Sequence, residues 1–269
     1  MICKDAKDIY RYYFEVSSFF SKQNLKILKT DCHNESKIFD ISIPLGPILS
    51  EGNNLEILEK NQTIINCAKK EFPTLNIIKG DIRSLSNLSK RYDLILDFST
   101  IDHIPPSDYK EVLKNYKRLS DNISVVVWLD ETDRVDGDQA YFNVIEFTEC
   151  FNTTFKNTQK IIIWKHRSRQ LVHFYSFTDN SFNTYFLSLK NKWMNHFNKE
   201  YLSFKKHYLG CNSKFKILMR HTIFFLTFPK IALKFDPVRY LYLNPDLVDA
   251  SVEPFDHFKK FGLYENRIY

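Results

Sequence analysis

Acidic residues stand at the ends of several short apolar runs in this chain. Glu59 closes LEILE (55–59), Asp81 follows Gly80 just past LNIIK (75–79), and Asp97 closes YDLILD (92–97). Asp40 and Ser42 lie in KIFDIS (37–42), a few residues before Gly46. Open α/β sheets bind ligands at the carboxyl ends of their strands, so such a series reads as the rim of one site. A carboxylate closing the second strand can accept both hydroxyls of a ribose, and an acid after the third can accept the exocyclic amine of adenine. Together Glu59, Asp81 and its neighbour Ile82 describe an adenosine cradle. Beyond Asp97 comes Phe98-Ser99-Thr100-Ile101-Asp102-His103. An imidazole titrates near pH 6.5 and suits a general base, with Asp102 or Asp97 to orient it or to balance a positive charge.

These residues need a scaffold, and the pattern supplies one. Short β-branched runs alternate with amphipathic stretches, the signature of β-α-β units around a parallel sheet. Lys37–Ser42, Leu55–Glu59, Leu75–Lys79, Tyr92–Asp97 and Ile123–Leu129 are the expected parallel strands. Asn61–Phe72 and Ser107–Leu119 are the helices between them, the second with Ser107 as N-cap. Asp130–Gln139 reads as a polar connection and Tyr141–Phe151 as a helix. Thr158–His166 and Gln170–Thr178, joined by Arg167-Ser168-Arg169, are too close for a crossover and must form an antiparallel hairpin. The expected fold is a doubly wound, Rossmann-like α/β sheet of seven strands with a terminal antiparallel hairpin, followed by a helical C-terminal region. Domain bounds fall at 1–178, 179–234 and 235–269.

Composition agrees with a globular chain. Of 269 residues 43% are hydrophobic and 26% charged, and 38 Lys plus Arg against 32 Asp plus Glu leave a net charge of +6. That excess lacks the dense basic blocks of a nucleic-acid binder, so no nucleic-acid partner is expected. The five cysteines, Cys3, Cys32, Cys67, Cys150 and Cys211, form no CxxC pair, which argues against a disulfide framework or zinc site and for a reducing compartment. No metal-ligand spacing appears. The charged N-terminus has no signal-peptide core. The longest apolar run, Ile223–Phe228, is far below the roughly 18 residues of a membrane span.

Over roughly Lys37 to Thr178 the order of these motifs resembles the class I S-adenosylmethionine-dependent methyltransferases. The resemblance implies S-adenosylmethionine as cofactor, held by Asp40, Ser42, Gly46, Glu59, Asp81, Ile82 and Asp97. In it Ile38–Gly46 stands for the glycine-rich first motif, Glu59 for the ribose acid and Tyr92–Ile104 for the segment that faces methyl group and acceptor. His103, Asp102 and Asp97 are the implied catalytic set. Ser42 and Pro44 depart from the family, standing where it usually has glycines, and a Cβ or a proline ring intrudes on space the cofactor uses.

The C-terminal segment carries a second resemblance. Phe235-Asp236-Pro237-Val238-Arg239-Tyr240-Leu241, Asn244-Pro245-Asp246-Leu247, Pro254-Phe255-Asp256-His257-Phe258 and Phe261-Gly262 resemble a helical module attached to bacterial glycosyltransferases and other surface-polysaccharide enzymes. Its aromatics, Phe235, Tyr240, Phe255, Phe258 and Phe261, are expected to form a small core. The module implies a sugar or glycan acceptor, while the cysteine pattern and the charged N-terminus lead to the expectation of a cytoplasmic enzyme. Lys214, Lys216, Arg220, Lys230 and Lys234 around Ile223–Phe228 suit an anionic membrane surface or a polysaccharide-synthesis assembly. Two other readings stay open: a non-catalytic relative serving as an assembly partner, and a methyltransferase for a small molecule or lipid.

Overall fold

A computed structural model describes residues 6–31, 44–166, 168–211, 237–243, 247 and 254–258. The chain forms two compact units, one built mainly from Cys3–Lys165 and Arg169–Ser188, the other mainly from Leu189–Tyr269. The first holds helix α1 (Ala6–Phe20), strand β1 (Lys26–Thr30), short helix α2 (Gly46–Ser50), β2 (Asn54–Glu59), α3 (Gln62–Glu71) and β3 (Ile77–Lys79). It continues with a 3-10 turn (Ile82–Asn87), β4 (Leu94–Phe98), a second 3-10 turn (Ile101–His103), α4 (Tyr109–Leu119) and β5 (Ile123–Asp130). Strands β6 (Arg134–Asp136) and β7 (Gln139–Asn143), helix α5 (Val144–Thr154) and strands β8 (Gln159–His166) and β9 (Arg169–Ser176) complete the sheet. Helix α6 (Asn180–Cys211) follows.

The strand order is β3-β2-β1-β4-β5, all parallel, with β9 antiparallel against β5 and β8 against β9. That seven-strand core is the doubly wound sheet with terminal hairpin that the pattern predicts. Two further strands raise the total among the described residues to nine. Asp130–Gln139 is not a plain connection: it turns into the β6–β7 hairpin, and β7 pairs parallel with β5 at Leu129–Phe142 and Asp130–Asn143. Leu129 is also opposite Gln170 of β9, so β7 must lie on the β4 side of β5, past the last β4 pair at Phe98–Val126. The hairpin closes through Gly137-Asp138, with Gly137 at φ 65°, as a type II′ turn requires at its first central position.

Other local expectations shift by small amounts. The helix expected from Tyr141 starts at Val144, because Asn143 caps it by accepting from the N–H groups of Ile145 and Glu146. Ser107 is not the N-cap of α4; Asp108 takes that position, without a side-chain cap bond. Asn61 does cap α3, accepting from Thr63 and Ile64.

The larger correction concerns the first strand. The sheet position expected for Lys37–Ser42 is filled by Lys26–Thr30, and 37–42 lies outside the described residues. Lys26–Thr30 reads poorly as a buried strand because Lys29 sits in its middle. Lys29 is fully buried, and its ammonium donates to the Asp31 carbonyl oxygen at 2.6 Å and lies 3.5 Å from Asp31 Oδ1.

Helices α4 and α5 cover one face of the sheet through Tyr109, Val112, Leu113, Tyr116, Phe147 and Phe151, against Val125, Val127, Leu129, Phe142 and Phe174. On the other face Tyr12 of α1 reaches His173 of β9. The Tyr12 hydroxyl lies 2.6 Å from His173 Nδ1 and the Ser124 hydroxyl of β5 lies 2.7 Å from Nε2. Around this pin, Phe19 and Phe20 of α1 meet Phe177, Phe182, Tyr185 and Phe186, with Phe19 stacked on Tyr185 at 3.5 Å.

In the second unit α7 (Pro237–Leu243) and α8 (Pro254–His257) carry a small buried set. Tyr240 packs edge-on against Phe258 at 5.4 Å, its hydroxyl lies 3.0 Å from His257 Nδ1, and Val238, Leu241 and Phe255 are buried. The helical core expected of Tyr240, Phe255 and Phe258 is therefore present, while Phe235, Phe261 and Gly262 lie outside the described residues. No described helix is long and apolar enough to cross a membrane. Ile223–Phe228 is also outside them.

Burial pushes the pKa of His173 down to about 3. The unfolded chain protonates this residue at about 6.5 while the folded chain does not, so its contribution is complete above pH 6.5 and is lost as pH falls toward 3. Between pH 6.5 and 5 the loss is about 2 kcal/mol. Urea unfolding at the two pH values should show His173→Asn losing less stability on acidification than the parent protein. Tyr12→Phe should cost about 1–3 kcal/mol by leaving the buried ring nitrogen without its partner.

Candidate functional site

The strand order reverses between β1 and β4, and the crevice outside their carboxyl ends is where such sheets take ligands. A cleft opens there, lined by Asp31, Leu58, Glu59, Lys60, Gly80, Asp81, Ile82, Thr100, His103 and Ile104. Four residues singled out in the sequence, Glu59, Asp81, Ile82 and His103, thus meet around one space. Asp31 and Thr100 are additional members. Asp31 carries no signal of its own in the sequence, because the strand it follows begins at Lys26, eleven residues before the expected Lys37.

Glu59 ends β2 almost fully buried, and its Oε1 accepts from the Asn61 N–H at 2.8 Å, fixing the carboxylate at the start of α3. Gly80 approaches so closely that an added Cβ would lie 2.7 Å from Leu58 Cδ1, and its N–H donates to the Glu59 carbonyl oxygen at 3.0 Å. A side chain at 80 would have to displace a buried leucine in the cleft wall. Asp81 accepts from the Arg83 N–H at 2.9 Å and from its guanidinium at 2.7 Å. Those bonds hold its carboxyl below the usual carboxylate range. It therefore caps its 3-10 turn as well as lining the cleft.

Across the crevice a clasp joins β1 to β4. The Thr100 hydroxyl bonds the Asp31 carboxylate through Oδ2, and the Thr30 hydroxyl donates to Thr100 Oγ1 at 2.8 Å. Asp31 and Ser99, each just past the end of one of these neighbouring strands, hold φ of 60° and 65°. Such angles are costly for residues with a side chain and concentrate at functional sites. Ser99 Oγ lies 3.2 Å from the Tyr13 hydroxyl, and Tyr13 stacks on Phe98 at 4.8 Å, so α1 overlies this end of β4.

Asp97 and Asp102 do not line the cleft; both are fully buried beside it. Asp97 accepts from Thr100 N–H at 2.7 Å, Ile101 N–H at 3.3 Å and the Tyr116 hydroxyl at 2.7 Å. Burial, with the Asp31 charge adding to it, pushes its pKa up to about 6 against those bonds. Asp102 accepts from the Trp128 N–H at 2.9 Å, and burial followed by the Asp97 charge raises it well above the carboxylate range. Their placement suits building and orienting the turn, not touching a ligand.

His103 is partly exposed on that turn. Its Nδ1 lies 3.0 Å from the carbonyl oxygen of Asp138, in the β6–β7 turn. A carbonyl only accepts, so the neutral ring carries its proton on Nδ1 and its lone pair on Nε2. Of the other expected cofactor contacts, Asp40 and Ser42 lie outside the described residues, and Gly46 is the buried first residue of α2. Of the expected first motif, Ile38–Gly46, only residues 44–46 are described, and β1 ends at Thr30. Among the described residues no cluster of His, Cys, Asp and Glu could hold a metal ion.

No protein-family model and no curated protein matches this chain. Solved structures similar to it include the N-terminal domain of EvdMO1 in the presence of SAH and D-fucose, at 11% identity and a TM-score of 0.48, covering 66% of this chain and 85% of that one. Against the EvdMO1 structure as a whole the TM-score is 0.46 at 14% identity, and the overlap spans 64% of this chain and 41% of that one. The N-methyltransferase NodS from Bradyrhizobium japonicum WM9, in complex with S-adenosyl-L-homocysteine, gives 0.48 at 9% identity, covering 65% of this chain and 89% of that one.

The raised pKa of Asp97 has a stability consequence opposite to that of His173. The folded chain holds the Asp97 proton up to about pH 6, the unfolded chain only to about 4, so this group favours folding below pH 4 and the advantage fades as pH rises to 6. Asp97→Asn keeps an acceptor for the Thr100 and Ile101 N–H groups and should remove that component. Its unfolding midpoint, relative to the parent, should improve from pH 4 to pH 6.

Proposed function

We propose that the chain transfers a methyl group from S-adenosylmethionine to a hydroxyl acceptor, with a sugar of a surface polysaccharide or its precursor as that acceptor. The observation that carries this reading is the convergence of Glu59, Gly80, Asp81, Ile82 and His103 on one cleft at the strand-order reversal. The ends of β2 and β3 fit the adenosine portion: a fixed buried carboxylate, a backbone at Gly80 with no room for a side chain, and apolar Leu58, Ile82 and Ile104 for a base. Glu59 would hold the ribose hydroxyls, and Asp81 with Ile82 the adenine edge.

When bound, S-adenosylmethionine supplies a methyl carbon already activated by the adjoining sulfonium. What the protein adds is alignment and proton removal. His103 Nε2 carries the lone pair that takes the hydroxyl proton, and the Asp138 carbonyl keeps the other nitrogen protonated. Asp97 ties the Thr100–Ile101 backbone to the end of β4, and so places the base relative to the cleft. The sugar assignment draws on the C-terminal sequence Phe235–Arg267, and attachment to an anionic surface on the basic residues from Lys214 to Lys234.

A specific observation favours a second reading, a non-catalytic binder. The residues after β1 are Asp31-Cys32-His33-Asn34-Glu35-Ser36, and no glycine occurs before Gly46. Close backbone approach to the methionine portion would have to be achieved without one.

Titration calorimetry with S-adenosylmethionine and its demethylated product separates the readings. Binding to the parent protein, weakened by about 1.5–3 kcal/mol in Glu59→Gln and unchanged in His103→Ala, is expected. No binding at millimolar concentration overturns the enzyme reading. Once an acceptor is in hand, His103→Ala should lower turnover by about a hundredfold or more.

A further inference from the structure

Asp102 is wholly buried, yet it adjoins His103, the base proposed above. Its Oδ1 takes the Trp128 N–H at 2.9 Å. On β5 that residue falls between Ile123–Val126, which pair with β4, and Leu129–Asp130, which pair with β7. The carboxyl group therefore fills a gap in the sheet where neither strand reaches. Oδ2 is buried without a hydrogen-bond partner, and the Ser99 and Gln139 side chains lie beside it. Gln139 opens β7 directly after Asp138, whose carbonyl oxygen meets His103 Nδ1. Asp102 thus stands between the turn that carries His103 and the hairpin that orients its ring.

We propose that Asp102 is the positioning residue of His103: by docking the Ile101–His103 turn onto β5, beside Gln139 at the start of β7, it keeps Nδ1 on the Asp138 carbonyl and makes Nε2 the proton-accepting nitrogen. Its importance for turnover rests on the methyl-transfer reading; its control of the ring does not. Burial and the nearby Asp97 favour the protonated acid, which offers one acceptor oxygen and one donor. Asparagine offers the same pair, so Asp102→Asn should substitute for it, whereas Asp102→Ala leaves the Trp128 N–H unsatisfied and the turn undocked.

The test is ring-nitrogen NMR on the full chain with ¹⁵N-labelled histidine, without cofactor or acceptor, the His103 signals being identified by their loss in His103→Gln. At a pH where the ring is neutral, the parent and Asp102→Asn should show the Nδ1–H pattern. Asp102→Ala should show the mixture of both tautomers that a solvent-exposed imidazole gives, with Nδ1–H no longer dominant. If folded Asp102→Ala keeps the pure Nδ1–H pattern, or Asp102→Asn loses it, the assignment is overturned. Should the alanine variant not fold, Asp102→Ser, whose hydroxyl is one bond shorter than the carboxyl that takes the Trp128 N–H, is read by the same criterion. Failure of cofactor binding in calorimetry would overturn the proposed reaction and leave this result standing, so the two failures are distinguishable.

Discussion

Everything around the cleft follows from the need to satisfy both edges of β5. A buried strand cannot leave its N–H and carbonyl groups unpaired. Over eight residues β5 is bonded on one edge to β9 and on the other to β4, then to Asp102, then to β7. Because β4 stops at Phe98, the carboxyl end of β5 would be bare on that side. The β6–β7 hairpin and the Asp102 carboxyl close it, and in doing so place a turn of chain above the end of β4. The wall of the cleft on the base side is thus a by-product of sheet completion.

The same strand ties the two faces together. Residues alternate along β5, with Val125, Val127 and Leu129 turned toward α4 and α5, while Ser124 meets His173 beneath α1. A buried histidine between two hydroxyls contributes little net stability, yet it is expensive to leave half satisfied. It therefore specifies one seating of α1, and α1 carries Tyr13 to the end of β4. His173 and Asp97 also respond to pH in opposite senses over the same mildly acidic range, so their effects on the parent protein partly offset each other.

Much of the scaffold is legible because burial of parallel strands leaves a nearly unbroken apolar record, as in Ile123–Leu129, where Ser124 is the one interruption. The terminal hairpin was legible because three residues cannot make a crossover. Lys26–Thr30 failed this test for a physical reason: two of its five residues are lysines, and Lys29 is tolerated only because Asp31 receives it. With Lys37–Ser42 as the more apolar run, nothing local marks Asp31 as the residue that follows β1. Helix α1 was marked by Ile9, Tyr12, Tyr13, Val16 and Phe20 at helical spacing, a signal obscured by the charges between them. The hairpin after β5 looked like a polar loop because its strands lie at an edge. Glu59, Asp81 and His103 were found because their place at strand ends follows from topology; the burial of Asp97 and Asp102 depends on tertiary packing that no local pattern records.

The β6–β7 hairpin touches β5 through only two residue pairs and folds back on its own two-residue turn. Phe142 of β7 packs within the core, but β6 pairs only with β7, so the outer half of the hairpin is nearly independent of the seven-strand core. Insertions or deletions at its turn would reshape the rim of the cleft beside His103 while leaving the rim at Glu59 and Asp81 intact, so the two sides of the crevice can vary separately on one sheet.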